Sequence, residues 1–232
     1  MRQGLLIRML PVVAAVSAAF AQEPARKGEP KGPPRPPLFF REEWKQIPGG
    51  GEHPVTANAP ANPKLEMKLY GASAKDIQLT GAANDENNPI HLWNGLVEGP
   101  TAVTLRDKSN YADLTGLARI RWLVKVSGFH QVHPIIKLAN GTWLVGDHAD
   151  GSIADWHEHD LSLAEVRWLR LDIEKVVAKG NWVEKPDLSR VDEIGFTDLM
   201  PGSGHGPGGW SDVAWIEVYG KPVKRDSGGA GQ

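Results

Sequence analysis

The stretch Leu117–Val126, LARIRWLVKV, constrains the fold more than any other part of the chain. Its side chains alternate, with Ile120, Trp122, Val124 and Val126 on one face and Arg119, Arg121, Leu123 and Lys125 on the other. A period of two is that of a strand with one face in a core and one in water. The same period returns in Val166–Ile173, where it predicts Leu169, Leu171 and Ile173 inward, and in Val191–Asp198 and Val213–Tyr219. Shorter candidates are Phe39–Gln46, Leu65–Tyr70, Asp76–Thr80, Ile90–Trp93 and Val103–Arg106. Between Pro134 and Asp147 two β-rich runs flank Asn140-Gly141, a pair suited to a type I′ hairpin turn. No segment sustains a 3.6-residue apolar stripe over the roughly 10–12 residues a helix needs. About ten short strands divided by Gly, Pro and Asn turns predict an all-β sandwich or barrel.

The ends of the chain read differently. Arg2 and Arg8 precede an apolar run that closes on Ala19-Phe20-Ala21, the small-x-small pattern of a signal peptidase site, so residues 1–21 are read as a signal peptide. This run is alanine-rich, interrupted by Pro11 and too short for a comfortable bilayer span, which predicts no membrane span after cleavage. Residues 22–37, QEPARKGEPKGPPRPP, have the composition of an extended proline-rich linker. A single β-sandwich domain is expected over residues 38–223, followed by a flexible tail at 224–232. The predicted location is secreted or periplasmic.

Composition narrows the function. Subtracting Arg2 and Arg8 from the 26 basic residues leaves 24 against 28 acidic ones, a net charge of −4. That balance argues against nucleic acid or an anionic membrane as a partner. There is no cysteine, so no disulfide, thiolate metal site or thiol nucleophile is available, and stability must come from the core.

From Tyr111 onward the order of motifs resembles a known family. A D-L-T-G turn (Asp113–Gly116) leads into the alternating strand, followed by a hairpin bearing Trp143 and a W-x-x-x-D-L step from Trp156 to Leu161. Then come WLRLDI, PDLSRVDEIGF and the closing WIEVYG. This succession, over residues 111–220, is similar to galactose-binding-like β-sandwiches, including several carbohydrate-binding modules and the complex I intermediate-associated family. The opening LFFREEWKQIP, with HPVTANAPANPKLEMKLYG, resembles a group of uncharacterised exported bacterial proteins. For a few residues it is also similar to secreted sugar hydrolases of the 3-keto-disaccharide type. The resemblance implies a mostly antiparallel, galactose-binding-like jelly-roll β-sandwich and a carbohydrate or polysaccharide partner.

Candidate site residues fall into three groups. Nine tryptophans are many for one chain, and indole faces suit the C–H faces of pyranose rings. Trp122 is expected in the core, whereas Trp143, Trp156, Trp182 and Trp210 lie at turns or strand ends. The glycine-rich loop GSGHGPGG carries His205 and leads to Trp210. With no helix after it, it is no phosphate cradle, which leaves a binding loop with His205 and Trp210 on one rim or a plain connector. The second group is DHADGSIADWHEHD. There His157 and His159 share a face if the segment is a strand, which suits zinc or nickel, while Asp147, Asp150 and Asp155 can offer oxygens to Ca2+. Turn-capping polar surface is the alternative reading.

The third group is catalytic. Glycoside hydrolysis needs two carboxyl groups about 5–10 Å apart, and Asp198 and Asp212, with His205, are the candidates. Motifs of the G-x-S-x-G, Walker or H-E-x-x-H kind are absent from the sequence. The expected function is therefore that of an exported, non-catalytic carbohydrate-binding module-like protein. The alternatives are a sugar-active hydrolase on the same scaffold and an assembly or interaction protein of the cell envelope.

Overall fold

The computed structural model describes residues 34–46, 49–205 and 208–225. The expected signal peptide at 1–21, residues 22–33 of the linker expected at 22–37 and residues 226–232 of the tail expected at 224–232 lie outside the described residues. Two antiparallel sheets face each other. The first has the order β11 (Ile153–Ser162), β8 (Arg119–Gly128), β15 (Gly209–Tyr219), β5 (His91–Trp93), β4 (Gln78–Thr80) and β2 (His53–Pro54). Strand β1 (Leu38–Glu43) also pairs with β15, in line with β5. The second sheet has the order β13 (Val177–Val183), β12 (Trp168–Asp172), β10 (Trp143–Gly146), β9 (Val132–Leu138), β14 (Val191–Asp198), β6 (Thr101–Asp107) and β3 (Leu65–Tyr70). The short strands β7 (Asn110–Asp113) and β16 (Lys221–Lys224) pair beside the start of β14. Among the described residues the only helical element is one 3-10 turn, Ala74–Asp76. The chain is an antiparallel jelly-roll β-sandwich.

The alternating residues of β8 supply the middle of the core. Ile120, Trp122, Val124 and Val126 are essentially inaccessible and meet Ile136, Leu144, Trp168 and Ile194 of the second sheet. Each such side chain contributes about 1.5–3 kcal/mol by leaving water, which is how a chain without disulfides holds together. Polar ties add to this. Glu42 on β1 accepts the backbone N–H groups of Ala61 (2.6 Å) and Asn62 (3.1 Å) and pins that loop to the sheet edge.

Two expectations are corrected, and two strands go beyond those expected. At the Asn140-Gly141 hairpin only Gly141 has a positive φ (85°). The loop closes through Leu138 N–H to the Thr142 carbonyl, so three residues turn the chain and the turn is not type I′. In β12 the alternation was read with its faces reversed. Trp168 enters the main core, whereas Leu169, Leu171 and Ile173 join a second apolar cluster with Ile135 and Val145 on the far side of that sheet. A register shift between Leu169 and Leu171 accompanies this arrangement. Finally, β11 and β13 lack apolar alternation because both are edge strands with mostly exposed side chains.

Candidate functional site

The outer face of the first sheet follows directly from register. With even-numbered residues of β8 in the core, Arg121, Leu123, Lys125 and Ser127 point outward, and β15 sets Glu217, Trp215, Asp212 and Trp210 beside them in that order. A register shift between Val213 and Trp215 changes the parity, so Trp210 and Asp212 share a face with Trp215, Glu217 and Tyr219. On the other side of β15, Asp212 is paired with Trp93. One transverse row therefore reads Trp93, Asp212, Lys125 across three neighbouring strands.

Aromatic groups surround this row. Lys125 Nζ stands 6.0 Å from the Trp156 ring and 5.5 Å from the Trp210 ring, both half-buried. An ammonium at these distances is attracted to each indole face. The Trp156 ring meets His91 edge-on at 5.1 Å, and its Nε1–H donates to the Asn87 carbonyl at 3.1 Å. Further along β15, the Arg41 guanidinium lies 4.4 Å over the Trp215 ring. Glu217 holds this end together by accepting from Arg41, from Arg121 at 3.0 Å and from the Tyr219 hydroxyl at 2.8 Å. Beside Trp215 a groove of about 340 Å³ runs between β1 and the loop at Ala82–Pro89.

Beneath the aromatic groups two buried titratable side chains face each other. His91 Nδ1–H donates to the Pro89 carbonyl at 2.7 Å, so in the neutral ring Nε2 carries the lone pair. That atom faces Asp212 Oδ1 at 3.7 Å, too far for a hydrogen bond, and Oδ1 is buried with no partner among the described residues. Burial pushes the Asp212 carboxyl up to about 8, with Lys125 pulling it partly back. Burial likewise pushes His91 down to about 4, against the Pro89 carbonyl and with help from Lys125. Near neutral pH both groups are uncharged and no ion pair forms.

The glycine loop is docked on this same face. Gly202 N–H reaches the Val97 carbonyl at 2.7 Å and Gly204 N–H the Gly95 carbonyl at 2.6 Å. The His205 ring stacks on Trp93, centroids 4.5 Å apart and planes 21° apart, and its Nε2 meets Glu52 at 3.0 Å. Glycine is required where the loop lands, since a Cβ at Gly202 would come within 2.4 Å of the Asn94 and Gly95 carbonyl oxygens. His205, Trp210 and Trp156 thus come together around Asp212 and Lys125.

The remaining candidates lie elsewhere. Trp143 packs edge-on against Tyr70 at 5.1 Å on the second sheet, and Trp182 sits on its edge strand β13. Asp198 and Asp212 do not form a facing pair. Asp198 is buried between the sheets, bound by Asn94 Nδ2 (2.6 Å), Ser211 Oγ (2.7 Å) and His130 Nδ1 (2.6 Å). Ser211 and Asp212 are consecutive on β15 and point to opposite faces, which separates the two carboxyl groups.

The Asp/His group is also divided. His159 Nδ1 (2.7 Å) and His157 Nε2 (3.4 Å) approach Asp150, whose Oδ2 also accepts the Trp122 indole N–H. Asp147 instead pairs with Arg167 (2.8 Å) and His148 (3.0 Å), and Asp155 is exposed. Among the described residues no group of three or more His, Asp or Glu side chains is arranged to hold a metal ion.

Sequence reading passed over Lys125, Trp93, His91 and Trp215. The two-residue period does place His91 and Trp93 on one face, but only the pairing of β5 with β15 brings them beside Asp212.

No family model matches the chain, and no curated protein matches its sequence. Solved structures show a likeness in outline. The family 11 carbohydrate-binding module of the cellulosomal cellulase Lic26A-Cel5E of Clostridium thermocellum is 14% identical, with a TM-score of 0.42 over 76% of this chain and 98% of that one. The xylan-binding module CBM15 is 12% identical, with a TM-score of 0.37 over 75% and 99%. TmCBM61, solved with beta-1,4-galactotriose, is 11% identical, with a TM-score of 0.36 over 67% and 88%. By its own strand pairing the chain is an all-β, antiparallel sandwich of two sheets.

Proposed function

We propose that the protein binds a carbohydrate chain, without turnover, on the outer face of the first sheet, and that it does so as an exported protein. The observation that carries this reading is the placement of Trp156 and Trp210 on either side of Lys125. A pyranose presents apolar C–H faces and a polar equator. Two half-buried indoles supply surfaces for the first, while Lys125 and the His205–Glu52 pair supply donors and acceptors for the second. The groove between β1 and the Ala82–Pro89 loop extends this face, which suits an extended ligand better than a single sugar. Binding without turnover is supported by the separation of Asp198 from Asp212 on opposite faces, which leaves them no shared bond to act on. Titration with mixed-linkage β-glucan, xylan and β-1,4-galactan oligosaccharides tests the proposal, with reducing-sugar release measured in parallel. Saturable binding with no release is expected. Sustained release of reducing ends would instead mean a hydrolase.

A further inference from the structure

The charges on the outer face of the first sheet are paired with one exception. Arg119 meets Asp160 at 2.6 Å, and Arg121 meets Glu158 at 2.6 Å and Glu217 at 3.0 Å. Arg41 is held by Glu43 and Glu217. Lys125, half-buried beside them on β8, has no carboxylate at ion-pair distance among the described residues. Asp212 is its neighbour in register but directs Oδ1 toward His91, and it makes no ion pair with the ammonium. Burial also keeps that carboxyl protonated near neutral pH, so it does not offset the charge from further away. The ammonium is left facing two indole rings, Trp210 at 5.5 Å and Trp156 at 6.0 Å. A cation drawn partly out of water with no counter-ion is poised to take one from a ligand.

The surroundings of Lys125 decide what carries that counter-ion. Indole rings take up flat apolar faces, so the anionic group has to be borne by a ring-shaped unit and not by a free ion. A chain dense in negative charge is poorly matched. The three arginines of this face are outnumbered by the four carboxylates that pair with them, Glu43, Glu158, Asp160 and Glu217. A polyanion such as a nucleic-acid backbone or an unbroken run of uronates would be repelled there. A single charge on an otherwise neutral chain meets Lys125 without that cost. Resting on the reading of this face as a carbohydrate site, we propose that its ligand is a largely neutral sugar chain bearing an anionic substituent, a uronate carboxylate or a sulfate ester. The substituent pairs with Lys125, and neighbouring sugar rings lie against Trp156 and Trp210.

The test is a calorimetric titration with two matched pairs of oligosaccharides. One is xylohexaose against the same oligomer carrying one glucuronic acid, the other neoagarohexaose against its sulfated counterpart. The anionic member of at least one pair is expected to bind about tenfold or more tightly than the neutral one, the gain from a hydrogen bond to a charged group. The pair that shows the difference tells carboxylate from sulfate. In Lys125→Gln the ratio of the two affinities is expected to fall to about one, and in Lys125→Arg, which keeps the charge, to persist. Added salt should lower the ratio in the parent protein, a readout that needs no variant to fold. Saturable binding with equal affinities within both pairs would overturn this inference and leave the carbohydrate reading standing. No binding of any of the four would overturn both. A ratio that survives Lys125→Gln, or that salt leaves unchanged, would overturn the assignment to Lys125.

Discussion

Asp212 Oδ1 lies 3.7 Å from His91 Nε2, and both side chains are buried on a sheet face that alternation alone would give to solvent. The loop at Ala82–Pro89 and Trp156 account for this, the latter by packing on His91 and bonding to Asn87. The consequence is a measurable pH dependence. The folded Asp212 carboxyl keeps its proton up to about pH 8, whereas in the unfolded chain it titrates near 4. Across that window the folded state holds the extra proton, so stability falls as pH rises. Glu42, raised by burial to about 7, acts in the same direction at lower pH, and His91, lowered to about 4, acts oppositely below about 6.5. Between pH 7 and 8 Asp212 therefore stands nearly alone, with a loss of up to about 1.4 kcal/mol per pH unit. Asp212→Asn, which keeps the size of the side chain and removes the titrating carboxyl, should flatten the melting temperature over this range. An equally steep fall in the variant would mean that another group titrates there.

Trp122 joins packing to polar satisfaction, since its ring fills the core and its N–H reaches Asp150. Trp122→Ala should cost about 3–5 kcal/mol through the cavity. Trp122→Phe keeps most of the volume and should cost about 1–3 kcal/mol, by leaving Asp150 short of a donor. Urea denaturation measures both. Equal losses in the two variants would assign the whole effect to the lost N–H donor, and an unchanged Trp122→Phe would assign it to packing.

The docked glycine loop makes its own prediction. Gly202→Ala sets a methyl group against two backbone carbonyls, so the loop has to lift from residues 94–97. Faster amide exchange at Gly202 and Gly204 should accompany a stability loss of about 1–3 kcal/mol. Unchanged exchange would show that the loop is already undocked in solution.

These residues also show how far a sequence can be read. The core face of β8 and the position of the Asn140-Gly141 hairpin were legible, because period and turn chemistry are local properties. The two faces of β12 were not, because Leu169, Leu171 and Ile173 make the more apolar face while Trp168 shares its face with Arg170 and Asp172, and only the partner layer shows that Trp168 meets the main core. β11 and β13 escaped notice because edge strands have no need to alternate. Trp210 and His205 stood out by type and context. Lys125 did not, because it is what the opposite face of any half-buried strand carries. Its meaning comes from Trp156 and Trp210, brought to it by pairings more than 30 and 80 residues away in sequence.

The most direct test of the central claim is the affinity of Trp156→Ala and Trp210→Ala for the best oligosaccharide ligand, measured by calorimetry alongside thermal melts. Each variant is expected to bind more weakly by about 1–3 kcal/mol, the loss typical of one aromatic anchor, while remaining folded. Trp143→Ala, on the other sheet, should bind like the parent protein. Undiminished affinity in both Trp156→Ala and Trp210→Ala, with the fold intact, would contradict the assignment of the ligand to this face.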